Sequence, residues 1–594
     1  MAGTRHRKTS PVPRLRQFDP VDDHQLTDRE LRRRWEAFHA SIHMAQGIWW
    51  RRTLGRMLGV NTFRYRAARV VGRPILKLAR AILRLEKVVL PESATSVADI
   101  DQSHAFPINY HPQALIALGV NLADDHGTED VTILTVDETT ASPDVTSIND
   151  QIHSTNTTWL AIIDASTTPV ERRAAIKVLL TRAQAGDDVV FADEIGTRPE
   201  APILKCSAVG AHSLLSYNVV GRPALIRREA IVRLEGFDAS AGWAFEHDAY
   251  LRLHETGARF HHVAQVLPAG RPASSFRAEH LNVDTVRVVR AALGRRGWGD
   301  DATARSTPGV VDWRPPVPQP PPSIDIIIPT RDRVDLVRQC LEAIESITTY
   351  PNFDVIILDN DSALPETLEF FAATSYRVVP CPGPFNYAAI VNRGVAHSQA
   401  DFVVTLNNDT IVITPDWLER MVGLAALEDV SFVGACLLDR DGTREHESIV
   451  IAPYPQHLRT DSNYPHDDQF CAATRDVSAV TGAVQMVRRA TWNELGGMDE
   501  QLKVVMNDVD ICLRSQDEHR YVVYTPDVRL YHHVSSSRGT LDPLDDRNRF
   551  IRRWDIFGTF RDPFFPESLL LLGETMYYRH REIDQGPGSR EPLL

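Results

Sequence analysis

Three short polar clusters hold the residues best suited to chemistry in this chain: Thr330-Arg331-Asp332, Asp359-Asn360-Asp361 and Asn407-Asn408-Asp409. Each follows directly on an apolar run: IDIIIP, FDVIIL and DFVVTL. A carboxylate so placed can accept from a base N–H or a ribose hydroxyl, or ligate a hard divalent cation through oxygen. Asp and Asn are also ordinary turn formers, so a single cluster would say little. Three at matching positions set polar acceptors along one rim.

The apolar runs must position these clusters. Ser323 to Thr330, Phe353 to Leu358 and Asp401 to Leu406 read as buried strands, and Val430 to Leu437 as another. Val334 to Ile347 and Pro415 to Leu427 read as helices between them. Such alternation predicts an α/β protein with a mostly parallel sheet flanked by helices. Ligands of such sheets bind outside the carboxyl ends of the strands, where the three clusters fall. Ahead of the first strand, seven prolines between Pro308 and Pro322 predict a stiff linker.

Seven blocks then occur in order: IIIPTRDR, VIILDNDS, PGPFNYAAIVNRG, VVTLNNDTIVITPDWLE, VSAVTGAVQMVRRATWNELGGMDE, NDVDICLR and LYHHVSSSRG. Together they resemble glycosyltransferase family 2, with its GT-A (Rossmann-like) fold. Within that family they are most similar to the bacterial O-antigen and surface-polysaccharide branch, which includes rhamnosyltransferase-like members. The resemblance spans about residues 323–566.

That resemblance implies roles residue by residue. Thr330, Arg331 and Asp359 match positions that hold the nucleoside of a UDP- or dTDP-sugar donor, and Asn392 and Arg393 match the helix completing that pocket. Asn408 and Asp409 belong to this chain's version of the DxD motif, with Asp409 expected to bind Mg²⁺ or Mn²⁺ at the diphosphate. His532, with His533 as the alternative, matches the histidine that reaches the metal or diphosphate. Asp508 matches the base that takes a proton from an acceptor hydroxyl as it attacks the anomeric carbon. Gly482 and Asp510 fall on the acceptor side, and Asp510 also suits a helix cap or salt bridge. Trp492 reads as core.

The first half carries an echo of the second. GRPALIRREAIVRLEG (Gly221 to Gly236) parallels GAVQMVRRATWNELGG (Gly482 to Gly497), and Asp248 to Arg252 parallels Asp510 to Arg514. Glu246 falls where Asp508 sits, and Asp164 ends a strand-like TWLAIID. No PTRD-like strand end is recognisable before it, which predicts a degenerate copy without chemistry. His261-His262 reads as packed or solvated rather than metal-binding.

Composition bounds the rest. With 43% hydrophobic and 24% charged residues, the chain is neither collagen, coiled coil nor wholly disordered. Six scattered cysteines without a CxxC pair argue against a disulfide framework or structural zinc. Residues 1–87 hold 20 Lys+Arg against 7 Asp+Glu, leaving −26 for the remainder. Arg73, Lys77, Arg80, Arg84 and Lys87 share one helical face, and Trp49-Trp50 precede Arg51-Arg52. Such an arm suits an anionic membrane surface or packing on its own domain, and nucleic acid less well.

The expected order is therefore a basic helical region (1–100), a degenerate GT-A-like copy (101–300), a Pro-rich linker (301–322), a catalytic domain (323–566) and a tail (567–594). No run is long and apolar enough to span a bilayer. The expected activity is inverting, metal-dependent sugar transfer to a glycan or lipid-linked glycan. Its expected site is the cytoplasm or the cytosolic face of the inner membrane. An inert glycan-binding or scaffold subunit is the alternative.

Overall fold

The computed structural model describes residues 128–578, apart from 138–139, 141, 199–200, 269–274, 453, 460–467, 533–542, 557–558 and 573–574. The basic arm (1–100), His533 and the tail beyond 578 lie outside the described residues.

Two sheets organise the chain. In the first half, β1 (Val131–Val136), β2 (Trp159–Asp164), β3 (Val189–Arg198), β4 (Ala201–Ile203), β5 (Ala224–Arg227) and β6 (Phe260–Leu267) run in the order β1-β2-β5-β3-β4, with β6 also on β3. A hairpin of β7 (Ala302–Ala304) and β8 (Val311–Trp313) follows. The second sheet takes β9 (Ile324–Thr330), β10 (Phe353–Asp359), β11 (Arg377–Pro380), β12 (Phe402–Leu406), β13 (Thr410–Val412), β14 (Val430–Leu438) and β15 (Arg444–His446). After the hairpin β16 (Ser448–Ile451) and β17 (Pro455–Leu458), it adds β18 (Arg475–Val477), β19 (Val484–Arg488) and β20 (Tyr521–His532). Its order is β11-β10-β9-β12-β19-β14-β20-β13, with β15 on β14 and β18 on β20.

Strands β9 and β12 are almost wholly buried, which is why their sequences are continuous apolar runs rather than alternating ones. The helix Val334–Ile347 buries Leu336, Val337, Cys340, Leu341, Ala343 and Ile344 and keeps its other face polar. The sheet is mixed. Strands β9 to β12 are parallel, but β19 enters straight from the Thr481–Ala483 turn at the rim, so it runs antiparallel to both β12 and β14. No crossover is needed for such a strand. Register places Asp359 beside Thr330 and Phe402 beside Ile324, so the three polar clusters end at one level.

The first sheet repeats part of this pairing. β1 is parallel to β2, β2 antiparallel to β5, β5 antiparallel to β3, and β3 parallel to β6. The series β9, β12, β19, β14, β20 has the same senses. Arg227 pairs with Trp159 and lies 4.6 Å over its ring, as Arg488 pairs with Phe402 at 4.9 Å. Arg252 holds Asp248 at 2.7 Å and the carbonyls of Leu234 and Gly236. Arg514 likewise holds Asp510 at 2.8 Å and the carbonyls of Leu495 and Gly497. The strand not recognised in the sequence is β1: VTILTV lies where β9 lies, but Asp137 rather than Thr-Arg follows it. Among the described residues no strand stands where β10 and β11 would be, since β1 is the edge.

The proline-rich stretch does not hold the halves apart. Val310, Val311 and Trp313 are buried, and Arg305 of the hairpin clamps Asp527 with two donors. One hydrophobic core runs from Leu134 through Trp313 to Leu530. At the seam, His212 is wholly buried with Nδ1 2.7 Å from Asp476 Oδ1, and the backbone N–H groups of His212 and Ser213 each donate to Asp476 Oδ2 at 2.9 Å. The imidazole is stacked beside Trp298 and Trp313.

Candidate active site

The rim at the ends of β9 and β10 is built from backbone turns held by carboxylates. Asp332 sits at φ 51° and accepts from the N–H groups of Ala363 and Leu364 at 2.6 and 2.8 Å, tying the end of β9 to the loop after β10. Asp359 accepts from Ser362 N at 2.9 Å and is half-buried. Buried Asn360 donates to the carbonyls of Cys381 and Gly383. Thr330 is buried, its hydroxyl accepting from Asn408 Nδ2 at 2.9 Å, so β9 and the Asn407–Asp409 cluster are bonded directly. Arg331 is exposed at the same rim.

Asn392 and Arg393 lie on the helix Tyr387–His397, capped by Asn386, which accepts from Ala389 N. Asn392 is occupied otherwise than expected. Its amide donates to Met498 O at 2.9 Å and Glu500 Oε1 at 3.1 Å and accepts from Met498 N, so it holds the segment after Gly497. Arg393 is exposed, and its charge reaches Cys381 beside Asp359.

Asp409 is 5% exposed, and its Oδ1 has no hydrogen-bond partner. His532, at the end of β20, brings Nε2 to 3.5 Å from that oxygen and to 3.4 Å from Asn407 Nδ2. Its Nδ1 is 2.8 Å from Glu445 Oε2. Burial opposes charge on this ring, but Asp409 and Glu445 outweigh it and push the imidazole up to about 9. An orphaned buried carboxylate oxygen facing an imidazole nitrogen fits a divalent cation, which would displace the proton on Nε2. Among the described residues no group of three or more His, Cys, Asp or Glu could hold a metal unaided, so such an ion would need further ligands from water or a bound molecule.

Asp508 occupies the first turn of the helix Asn507–Asp517, behind Met506 at φ 65°. Its Oδ2 accepts from Gly482 N and its Oδ1 from Val509 N, both at 2.9 Å, so two backbone donors fix the carboxylate plane. Gly482 is the joint of the site. Its carbonyl accepts from Tyr387 Oη and Thr405 Oγ1 at 2.9 Å, and the next carbonyl, Ala483, accepts from Asn407 N at 3.0 Å. Asp409 and Asp508 are thereby set on two sides of one turn. A Cβ at Gly482 would meet Tyr387 Oη at 3.0 Å, so Gly482→Ala is expected to cost about 1–3 kcal/mol by overpacking. Urea unfolding of that variant checks this.

Asp510, expected on the acceptor side, is instead fully buried. It accepts from Arg514 Nε at 2.8 Å, Arg553 Nη1 at 2.7 Å and Trp554 Nε1 at 3.0 Å, which pins the helix Leu544–Trp554. Trp492 is core, at 3% exposure. His261 and His262 bond to Asp187 and Asp193 at 2.7 and 2.8 Å. Sequence reasoning left Glu445 and His457 without roles and gave Tyr387 no more than a loop position; the signal that marks Glu445 is EHES, a polar run that is wholly buried.

In the first half, Arg222 joins Glu246 and Asp164. Arg222, next to Gly221, puts Nη2 2.6 Å and Nε 2.8 Å from Glu246 Oε1, with Nη1 3.5 Å from Asp164 Oδ2. All three are buried.

Residues 325–495 match the family model described as glycosyl transferase family 2, so this segment is a glycosyl transferase family 2 domain. The chain is 31% identical over 465 residues to the uncharacterized protein y4gI of Sinorhizobium fredii, covering 71% of this chain and 50% of that one. It is 31% identical over 394 residues to the O-antigen biosynthesis protein RfbC of Myxococcus xanthus, covering 62% and 30%. An N-acetylglucosaminyl-diphospho-decaprenol L-rhamnosyltransferase of Mycobacterium tuberculosis is 24% identical over 223 residues, covering 33% and 71%. The chain thus spans at most about half the length of the first two relatives. A Pyrobaculum calidifontis mannosyltransferase solved with GDP-Man and Mn²⁺ is 18% identical, covering 40% of this chain and 62% of that one, with a TM-score of 0.29.

Proposed function

We propose that this protein is an inverting, divalent-metal-dependent glycosyltransferase. It moves a sugar, rhamnose from dTDP-rhamnose in our reading, onto a growing lipid-linked bacterial surface glycan. The observation that carries the reading is the Gly482–Ala483 turn, which holds the base Asp508 on one side and the Asn407–Asp409 cluster on the other. Thr330, Arg331 and Asp359 receive the nucleoside, with Arg393 at the edge. Asp409 and His532 would hold Mg²⁺ or Mn²⁺, which when bound offsets charge on the departing diphosphate. Asp508 takes the acceptor proton, and its two backbone bonds keep it aimed as the hydroxyl attacks. The names of the O-antigen and rhamnosyltransferase relatives support the glycan class and the sugar.

We read the first half as a worn copy that keeps the scaffold and not the chemistry. Arg222 is its carrying observation: a fixed guanidinium sits between Asp164 and Glu246, where a cleft would be needed. Its part is then to complete the core and the seam. Among the described residues no helix is long and apolar enough to cross a membrane. The basic arm, outside the described residues, is proposed to bring the protein to an anionic surface on the cytosolic side.

The test is a transfer assay with dTDP-rhamnose and a panel of UDP-sugars, using a prenyl-diphosphate-linked glycan as acceptor and Mn²⁺. The product anomer is read by NMR. Inversion of the donor configuration is expected. Retention would contradict the single-displacement reading, and no transfer from any donor would favour the inert scaffold.

A further inference from the structure

We propose that Glu445 is a positioning residue for this transfer: its buried carboxylate grips the His532 imidazole by Nδ1 and thereby presents Nε2 to Asp409 and its ligand. The inference rests on the reading above. Glu445 is 6% exposed on β15, which pairs with β14 beside β20. Its Oε2 lies 2.8 Å from His532 Nδ1, while Oε1 is 4.0 Å from Nδ1 of the exposed His457. Its own carbonyl accepts from Arg459 Nε at 3.0 Å, fixing the backbone beneath the carboxylate.

A buried Glu–His pair is often only a satisfied core contact. Here the far side of the ring argues otherwise. Nε2 ends 3.5 Å from Asp409 Oδ1, a buried oxygen with no hydrogen-bond partner. An open end alone does not decide this, since the seam pair His212–Asp476 also leaves Nε2 unbonded, 3.8 Å from Asp429 Oδ1. What sets the Glu445 pair apart is where its far side points: Nε2 makes a 3.5 Å ion pair, too long for a hydrogen bond, to the residue proposed to hold the metal. An imidazole tied at one nitrogen has its ring plane and tautomer set, and carboxylates behind ligating histidines are commonly worth about 10–100-fold in metal affinity. Glu445 would act through His532, without touching substrate.

The experiment measures Mn²⁺ affinity by electron paramagnetic resonance, with dTDP or UDP present, for the whole chain and four variants. Glu445→Ala is expected to bind about 10–100-fold more weakly. Glu445→Gln keeps an acceptor oxygen for Nδ1–H and should lose less. In a His532→Ala background, Glu445→Ala should cost nothing further, since coupled residues are not additive. Independent losses, or a Glu445→Ala variant binding like the parent while His532→Ala is weak, would overturn the proposal. If the parent chain binds no Mn²⁺ with either nucleotide, the donor-site reading falls and this one with it. A second readout needs no variant of Glu445. The metal-free protein should show a downfield Nδ1–H proton that disappears in His532→Ala, and its absence in the parent chain would overturn the grip.

Discussion

Asp508→Asn is expected to lower the rate of sugar transfer by about 10²–10⁴-fold, the usual worth of a positioned general base, while nucleotide affinity stays as it was. An asparagine oxygen can still accept from Gly482 or Val509, so the turn it shares with the Asn407–Asp409 cluster should keep its shape. What the amide cannot do is take the proton from the attacking hydroxyl. Initial rates at saturating donor, beside a nucleotide binding isotherm, separate the two effects. Normal transfer would mean that the base lies elsewhere. Asp510→Asn makes the matching control: it loosens the bonds to Arg514, Arg553 and Trp554, so its effect belongs in unfolding curves before rates.

Asp476→Ala is expected to destabilise the protein by about 3–5 kcal/mol, the range for removing one partner of a buried ion pair. It would strand a wholly buried imidazole and two backbone N–H groups at the seam between the halves. Burial opposes charge on His212, yet Asp476 and Asp429 outweigh it and raise its pKa above the ordinary 6.5, with Arg296 acting against them. Burial likewise would raise Asp476, but His212 and the Ser213 donors lower it below 3.8. The signs then fix the window. The histidine contribution is fully present below pH 6.5 and is lost as pH rises through its raised value. The aspartate contribution is present above pH 3.8 and is lost as pH falls through its lowered value. Denaturant unfolding across pH should show the parent losing stability on the alkaline side, and Asp476→Ala losing that dependence. An unchanged midpoint in Asp476→Ala would remove the seam lock from the account.

What the sequence made legible follows from where packing or tertiary contact decides. The helix Val334–Ile347 matches its expected span, because a strong apolar stripe writes its own boundaries. Strands β9, β10 and β12 were legible because burial over most of their length leaves near-continuous apolar runs, interrupted only by Asp325, Asp354 and Thr405. β1 was not, since an edge strand with exposed Ile133 and Thr135 has no such signature, and its Val136-Asp137 end lacks the Thr-Arg that marks β9. The packing of the hairpin at the start of the proline-rich stretch was equally hidden: composition shows stiffness, whereas the Arg305–Asp527 clamp joins residues far apart in sequence. At the site, types and order point to Asp409, His532 and Asp508, but not to which side chains are already occupied. Asn392 and Asp510 carry the expected identities and spend their polar atoms on the scaffold. Glu445 could not be placed because its partner lies 87 residues away.

The central claim is a metal-dependent donor site centred on Asp409. Its most direct test is calorimetric titration of dTDP and UDP into the protein with and without Mn²⁺, repeated on Asp409→Ala. Nucleotide binding that needs Mn²⁺ and is lost or severely weakened in the variant is the predicted result. Binding of equal strength with and without Mn²⁺, unchanged in Asp409→Ala, would contradict it.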